Sequence, residues 1–299
     1  MATITTSASP TPLRAPASLR DTALTAIAPA SFGTVYAATA LLLPPDRPLL
    51  AGAMRALPAG LLVLALTRTL PRGAWWLKAS VLALLNVGAF FPLLFLAAYR
   101  LPGGFAAALG ALQPLIVAAL AALLLKTRTP GRILLAFVVA AMGIGLMTIT
   151  AVTVPDPVGV AAMLAATSLM GLGIVLGKKW GSPVPPLTMT GWQLTIGGLA
   201  LWPLTLVAEG LPATITAQNV AGFVYVGLVG TALAYTLWFR GVQRLAPTAV
   251  SQLSTVNPLV AALAGFVLLG QTLTPWQLVG FTVALLALIA GQSMNRSTK

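Results

Sequence analysis

Ten times along this chain a run of about 20 mostly apolar residues ends in a short stretch of turn-forming or basic residues. About 20 apolar residues is the length a helix needs to cross the hydrocarbon core of a bilayer. The runs fall at 22–43, 49–66, 77–98, 103–125, 133–150, 158–177, 187–208, 220–239, 247–269 and 275–292. The links between them are too short to fold on their own and are marked by Pro44-Pro45-Asp46, Pro102-Gly103, Pro155-Asp156-Pro157 and similar turns. Only 7% of the 299 residues are charged, against about 25% in a domain that must cover itself with a water-facing surface. A soluble enzyme is excluded, and an all-α polytopic membrane protein of ten transmembrane helices is expected.

The net charge is +13. In a soluble chain that would suggest nucleic acid. Here the basic residues sit in the loops between apolar runs, so they report topology, and no nucleic-acid partner is expected. With sides alternated from an inner start, fourteen of the 17 basic residues fall inside. They include Arg68, Arg72, Lys126, Lys178, Lys179, Arg240 and Arg244, while only Arg47 and Arg100 fall outside. Lys and Arg accumulate on the cytoplasmic side, so both termini are expected there. Residues 1–21 read as a disordered cytoplasmic tail and 293–299 as a second tail; a transit peptide is an open alternative for the first, which is Ser- and Arg-containing and nearly free of acids.

The chain repeats itself. At an offset of 144, Arg100, Leu109 and Pro114 match Arg244, Leu253 and Pro258, with Gln113 opposite Asn257. At an offset of 138, Gly33 matches Gly171, Gly60 matches Gly198, and Arg55 stands opposite Gln193. The expected halves are 22–150 and 158–292, five helices each. An odd number of crossings per half turns the second upside down relative to the first, the inverted repeat of alternating-access transporters.

Several chemistries are missing. There is no Cys and no His, which removes thiolate and imidazole catalysis and the usual zinc ligands. No metal, cofactor or enzymatic activity is expected. The four acids, Asp21, Asp46, Asp156 and Glu209, all lie at or beyond the ends of runs, so no proton relay is visible. A facilitator or exchanger is expected. Arg55 is the one charge well within a run; the sequence favours snorkelling or structural bonding, with solute contact as the other reading.

The residues expected to contact solute are Tyr36, Asn86, Gln113, Tyr235, Gln252, Thr255 and Asn257, on a cavity lined by helices 1, 3, 4, 6, 8 and 9. Interhelical bonding is the alternative for any one of the amides. Pro114 and Pro258 each remove a backbone hydrogen bond in mid-run, freeing the Gly110 and Ser254 carbonyls. They read as paired hinges or as static kinks. Trp75, Trp76, Trp180, Trp238 and Trp276 are expected in the interfacial belts.

The stretch Gly230-Thr-Ala-Leu-Ala-Tyr-Thr-Leu-Trp238-Phe-Arg240, then Arg244-Leu-Ala-Pro-Thr-Ala, Asn257-Pro258-Leu, Leu269-Gly270 and Leu273-Thr-Pro275-Trp-Gln277 resembles the second half of EamA-type carriers of the drug/metabolite transporter superfamily. Two positions depart from that pattern: Phe32-Gly33 stands where Trp-Gly is common, and Gln271 where an acid is common. The resemblance implies a ten-helix carrier in a bacterial inner membrane, nearest to the YddG-like amino-acid exporters. The function expected is alternating-access export of amino acids, aromatic or neutral, or of similar small metabolites. The alternatives are a multidrug or lipid exporter, an intramembrane enzyme and a channel. The expected partners are a small-molecule solute and the bilayer; oligomeric state is undetermined.

Overall fold

A computed structural model describes residues 19–126, 131–149, 155–245, 250 and 253–294. Among them there is no strand. The helical rods are α1 (Leu19–Leu42), α2 (Pro48–Thr67), α3 (Trp75–Arg100), α4 (Gly103–Leu125), α5 (Gly131–Ile149), α6 (Pro157–Trp180), α7 (Pro186–Ala208), α8 (Ala217–Arg244), α9 (Val256–Leu269) and α10 (Pro275–Met294). Among the described residues seven of these, all but α5, α9 and α10, are long and apolar enough to cross a membrane. The protein is an integral membrane protein.

The helix ends follow local chemistry. The Asp156 carboxylate accepts from the Val158 and Gly159 N–H groups and starts α6, with Pro157 in its first turn. Thr216 and Asn219 form a reciprocal capping box at α8. Gly270 closes α9 in the left-handed conformation, at φ 64°.

Three rods, and the segment leading into α9, are interrupted, in matching places. A π-helical stretch, Leu84–Ala89, lies inside α3, and another, Tyr225–Leu233, inside α8. α4 is broken by a turn at Ala111 and Leu112, and the segment leading into α9 by one at Ser254 and Thr255. Pro114 and Pro258 stand just beyond these turns, each in the first turn of the helix that follows, where a missing N–H is harmless. This corrects the mid-helix reading of both prolines. The Ser254 carbonyl is not left free, because it accepts from the Asn257 N–H at 3.3 Å.

Packing between the halves is reciprocal. α2 packs along α7 and α5 along α10; α1 contacts α8 and α9 as α6 contacts α3 and α4. A Cβ on Gly60 would lie 2.5 Å from the Thr195 backbone nitrogen, and one on Gly198 2.7 Å from that of Leu57. A Cβ on Gly143 would lie 2.6 Å from the Gly280 carbonyl oxygen, and one on Gly280 2.5 Å from that of Gly143. Backbones this close are how membrane helices gain contact where no hydrophobic effect drives them together. Mutual contact between equivalent positions is the signature of a two-fold relation.

Candidate functional site

Between the halves lies a cavity of about 570 Å³. Its wall draws on α1, α2, α3, α4, α6, α7 and α8, and on Ser254 and Asn257 at the broken start of α9. α2 and α7 were not among the expected lining helices. Among the described residues, none of α5 or α10 lines this wall. The cavity reaches the exposed loop residues Gly181 and Ser182 between α6 and α7, beside Lys178 and Lys179.

The opposite end is tied shut. Arg47 donates to the carbonyls of Glu209 and Gly210, and the Glu209 carboxylate accepts from the Leu49 and Leu50 N–H groups at 2.6 and 2.9 Å. The Tyr99 hydroxyl donates to the Pro44 carbonyl at 2.8 Å, and Asn219 to that of Leu42 at 2.9 Å. Arg100 and Asp156 form an ion pair at 2.7 Å at the same end. The hydrogen bond from Arg100, helped by the Val158 and Gly159 N–H groups, holds the Asp156 carboxyl below its usual range.

The cavity wall is largely apolar, with an aromatic side. The Phe32 and Tyr235 rings are tilted at 5.4 Å between centroids, and Tyr235 stacks on Phe239 at 6.1 Å. Trp238 lies on this wall too, which corrects its expected place in an interfacial belt. Trp192 is buried, its indole N–H donating to the Thr69 carbonyl at 2.6 Å.

Arg55 does not snorkel. It is 3% exposed and sits on the cavity wall. Its Nε donates to the Thr231 hydroxyl at 2.8 Å and its Nη2 to the Gly230 carbonyl at 3.2 Å. Both partners belong to the π-helical stretch of α8, and the Thr231 hydroxyl in turn donates five residues back to the Val226 carbonyl. The guanidinium lies 4.5 Å from the Phe91 ring centroid and 5.8 Å from that of Phe95. Nη1 is buried without a hydrogen-bond partner among the described residues. A buried ion costs several kcal/mol to desolvate, and a well-placed ring returns only about 2 kcal/mol.

Of the expected contact residues, Tyr36, Asn86, Gln113, Tyr235 and Asn257 all line this cavity. Asn86 donates from Nδ2 to Gln193 Oε1 at 2.7 Å, linking α3 to α7. Gly173 of α6 leaves room for the Asn86 amide, since a Cβ there would overlap its oxygen. Gln113 Nε2 and Asn257 Oδ1 are buried without hydrogen-bond partners among the described residues. Thr255, Pro114 and Pro258 border a separate space of about 120 Å³ beside the helix breaks, so they are not on the main wall. Gln252 lies outside the described residues. Sequence reading missed Gln193 and the Phe32–Phe239 wall; the one available signal was Gln193's alignment with Arg55.

The pattern of the EamA-like transporter family matches residues 22–149 and again 157–290. The chain belongs to the EamA-like transporter family. Membership in a family of transporters points away from an enzyme. Among EamA relatives, Protein PecM of Dickeya dadantii is 44% identical over 270 residues, covering 90% of this chain and 91% of PecM. The WAT1-related chloroplastic protein of Arabidopsis thaliana is 28% identical over 278 residues, covering 86% of this chain and 66% of the relative. A crystal structure of another protein superposes with a TM-score of 0.65 at 16% identity, covering 94% of this chain and 99% of that one. That likeness concerns the EamA fold alone.

Proposed function

We propose that the chain is an alternating-access exporter of amino acids, aromatic or neutral, or of similar small metabolites. It works as a facilitator or exchanger in a bacterial inner membrane, with both termini cytoplasmic. Its ten apolar runs then cross the membrane as two inverted five-helix repeats, and the cavity mouth at the α6–α7 loop faces the cytoplasm. The observation that carries this reading is a cavity of about 570 Å³ between the halves, reaching one end of the bundle while hydrogen bonds close the other. A carrier must hide its site from one side at a time, and about 300–1,000 Å³ is the usual size of a small-molecule site.

The Asn86–Gln193 pair, Gln113 and Asn257 supply hydrogen bonds to a polar end group, and the Phe32–Tyr235–Phe239 side packs against an apolar body. The broken α4 and the break before α9 are where the halves flex. A multidrug exporter is the second reading, favoured by the mostly apolar wall.

Proteoliposomes loaded with a mixed amino-acid pool should take up labelled amino acids by saturable exchange that ignores a pH gradient. Inhibition by apolar cations, with no amino-acid exchange in folded protein, would replace the leading reading with the second one.

A further inference from the structure

Arg55 presents an electrostatic imbalance that the protein does not correct. The chain has four acidic residues, and none of them lines the cavity. Asp21 pairs with Arg240 at 2.7 Å and lies 3.6 Å from Arg244. Asp156 pairs with Arg100, Glu209 caps α2, and Asp46 sits in the α1–α2 loop. The guanidinium stays protonated at any physiological pH. Its two bonds go to neutral oxygens, and Nη1 is left over on the wall of a cavity large enough for a solute.

A charge this deeply buried needs a counter-charge, and none of the described residues supplies one. We propose that the counter-charge is the solute: Arg55 anchors an oxyanion, and the carried compound is an organic monoanion, a carboxylate with an apolar or aromatic body. This rests on the carrier reading and narrows it. An amino acid offers the same carboxylate but also brings an ammonium, and no acid among the described residues lines the cavity to pair with it. Phe32, Tyr235 and Phe239 then stack against the body of the solute. Export also gains a driving force without a coupled ion, because an anion leaves an inside-negative compartment downhill. For one charge, 59 mV corresponds to about a tenfold concentration ratio.

The test uses full-length protein and four near-isosteric probes: phenylacetate, phenylacetamide, 2-phenylethylamine and phenylalanine. Binding is read by quenching of Trp238 on the cavity wall, with Trp238→Phe as the control for site. Phenylacetate should bind at least about tenfold more tightly than phenylacetamide, and 2-phenylethylamine should be excluded. Arg55→Gln should bring the acetate-to-amide ratio to about one, while Arg55→Lys keeps part of it. Phenylacetate added to proteoliposomes on a solid-supported membrane should give a current of the sign of a moving anion. Permeation of the neutral acid gives none.

A wild-type acetate-to-amide ratio near one overturns the proposal without any variant, as does the absence of binding across the panel. So does displacement of phenylacetate by chloride at comparable concentration, which would make Arg55 a site for inorganic anions. Amino-acid exchange measured in parallel separates the two readings. Exchange without anion preference removes this inference alone; anion preference without any flux removes the carrier reading alone.

Discussion

Arg47 and Glu209 tie the closed end of the bundle together: the guanidinium reaches the carbonyl of Glu209 while the Glu209 carboxylate caps the backbone of Leu49 and Leu50. One side chain from each half holds the start of α2 against the end of α7. In the proposed transport cycle this clasp opens once per turnover, so its strength sets how often the cavity turns outward.

Glu209→Gln keeps the shape and removes the charge. A half-exposed hydrogen bond to a charged group contributes about 1 kcal/mol, so the outward-open fraction should rise about fivefold. The chain has no cysteine, so a single Leu94→Cys on the cavity wall gives a clean readout. Labelling by an impermeant thiol reagent from outside should speed up in the Glu209→Gln background. Unchanged labelling would mean that the clasp does not gate.

Gly60 and Gly198 permit the α2–α7 crossing. Gly60→Ala would gain about 1 kcal/mol of helix propensity, but its methyl meets backbone at 2.5 Å, and overpacking costs about 1–3 kcal/mol. Melting in detergent, followed by tryptophan fluorescence, should drop. Gly145→Ala, whose methyl meets nothing within 4 Å, should melt at or above the wild-type temperature.

Asn86 bridges to Gln193 across the cavity wall. Asn86→Leu should lower exchange at least about tenfold while expression changes little; because it also leaves the Gln193 amide oxygen without its partner, melting should fall slightly. Gln252→Ala should likewise lower transport without lowering expression. Full exchange in either variant would remove that residue from the solute path.

Pro114→Ala and Pro258→Ala let the helices continue through the breaks. If the breaks are the flexing points, the turnover rate should fall several-fold while the half-saturating concentration moves less. Counterflow at saturating and sub-saturating solute separates the two effects.

Transport should be flat between pH 6 and 8, because the chain has no histidine and its acids lie at helix ends. Asp156 shows the sign for stability. Its carboxyl is held below the usual value, so the Arg100 pair contributes above the unfolded carboxylate value and fades as pH falls through the folded one. Asp156→Asn should melt slightly below wild type at pH 7, and the gap should close in acid.

Hydropathy placed most helices with ends within a few residues, because a bilayer forces each backbone polar group to be satisfied inside its own segment; α9 is the exception, starting at Val256 although its apolar run starts at 247. The prolines of α4 and α9 marked the two helix breaks for the same local reason. The repeat marked Gly60 and Gly198. What lay beyond reach was which side of each helix faces the cavity. A membrane helix is apolar all round, so its sequence carries no stripe that separates lipid from protein. Asn86, Gln113 and Asn257 could be proposed because amides avoid lipid; Phe32, Phe239 and Trp238 could not be told from lipid-facing aromatics. Of the two readings favoured for Arg55, structural bonding holds and snorkelling does not, for a related reason. Its depth permitted snorkelling, and only the packing of α2 against the π-helical stretch of α8 places Thr231 and Gly230 where they hold the guanidinium inside. The sequence by itself determined the apolar runs, the prolines beside two of the helix breaks and the absence of any acid inside those runs. The tertiary structure alone decided that Arg55 is buried on the wall of the cavity, because that depends on contacts between residues 176 positions apart.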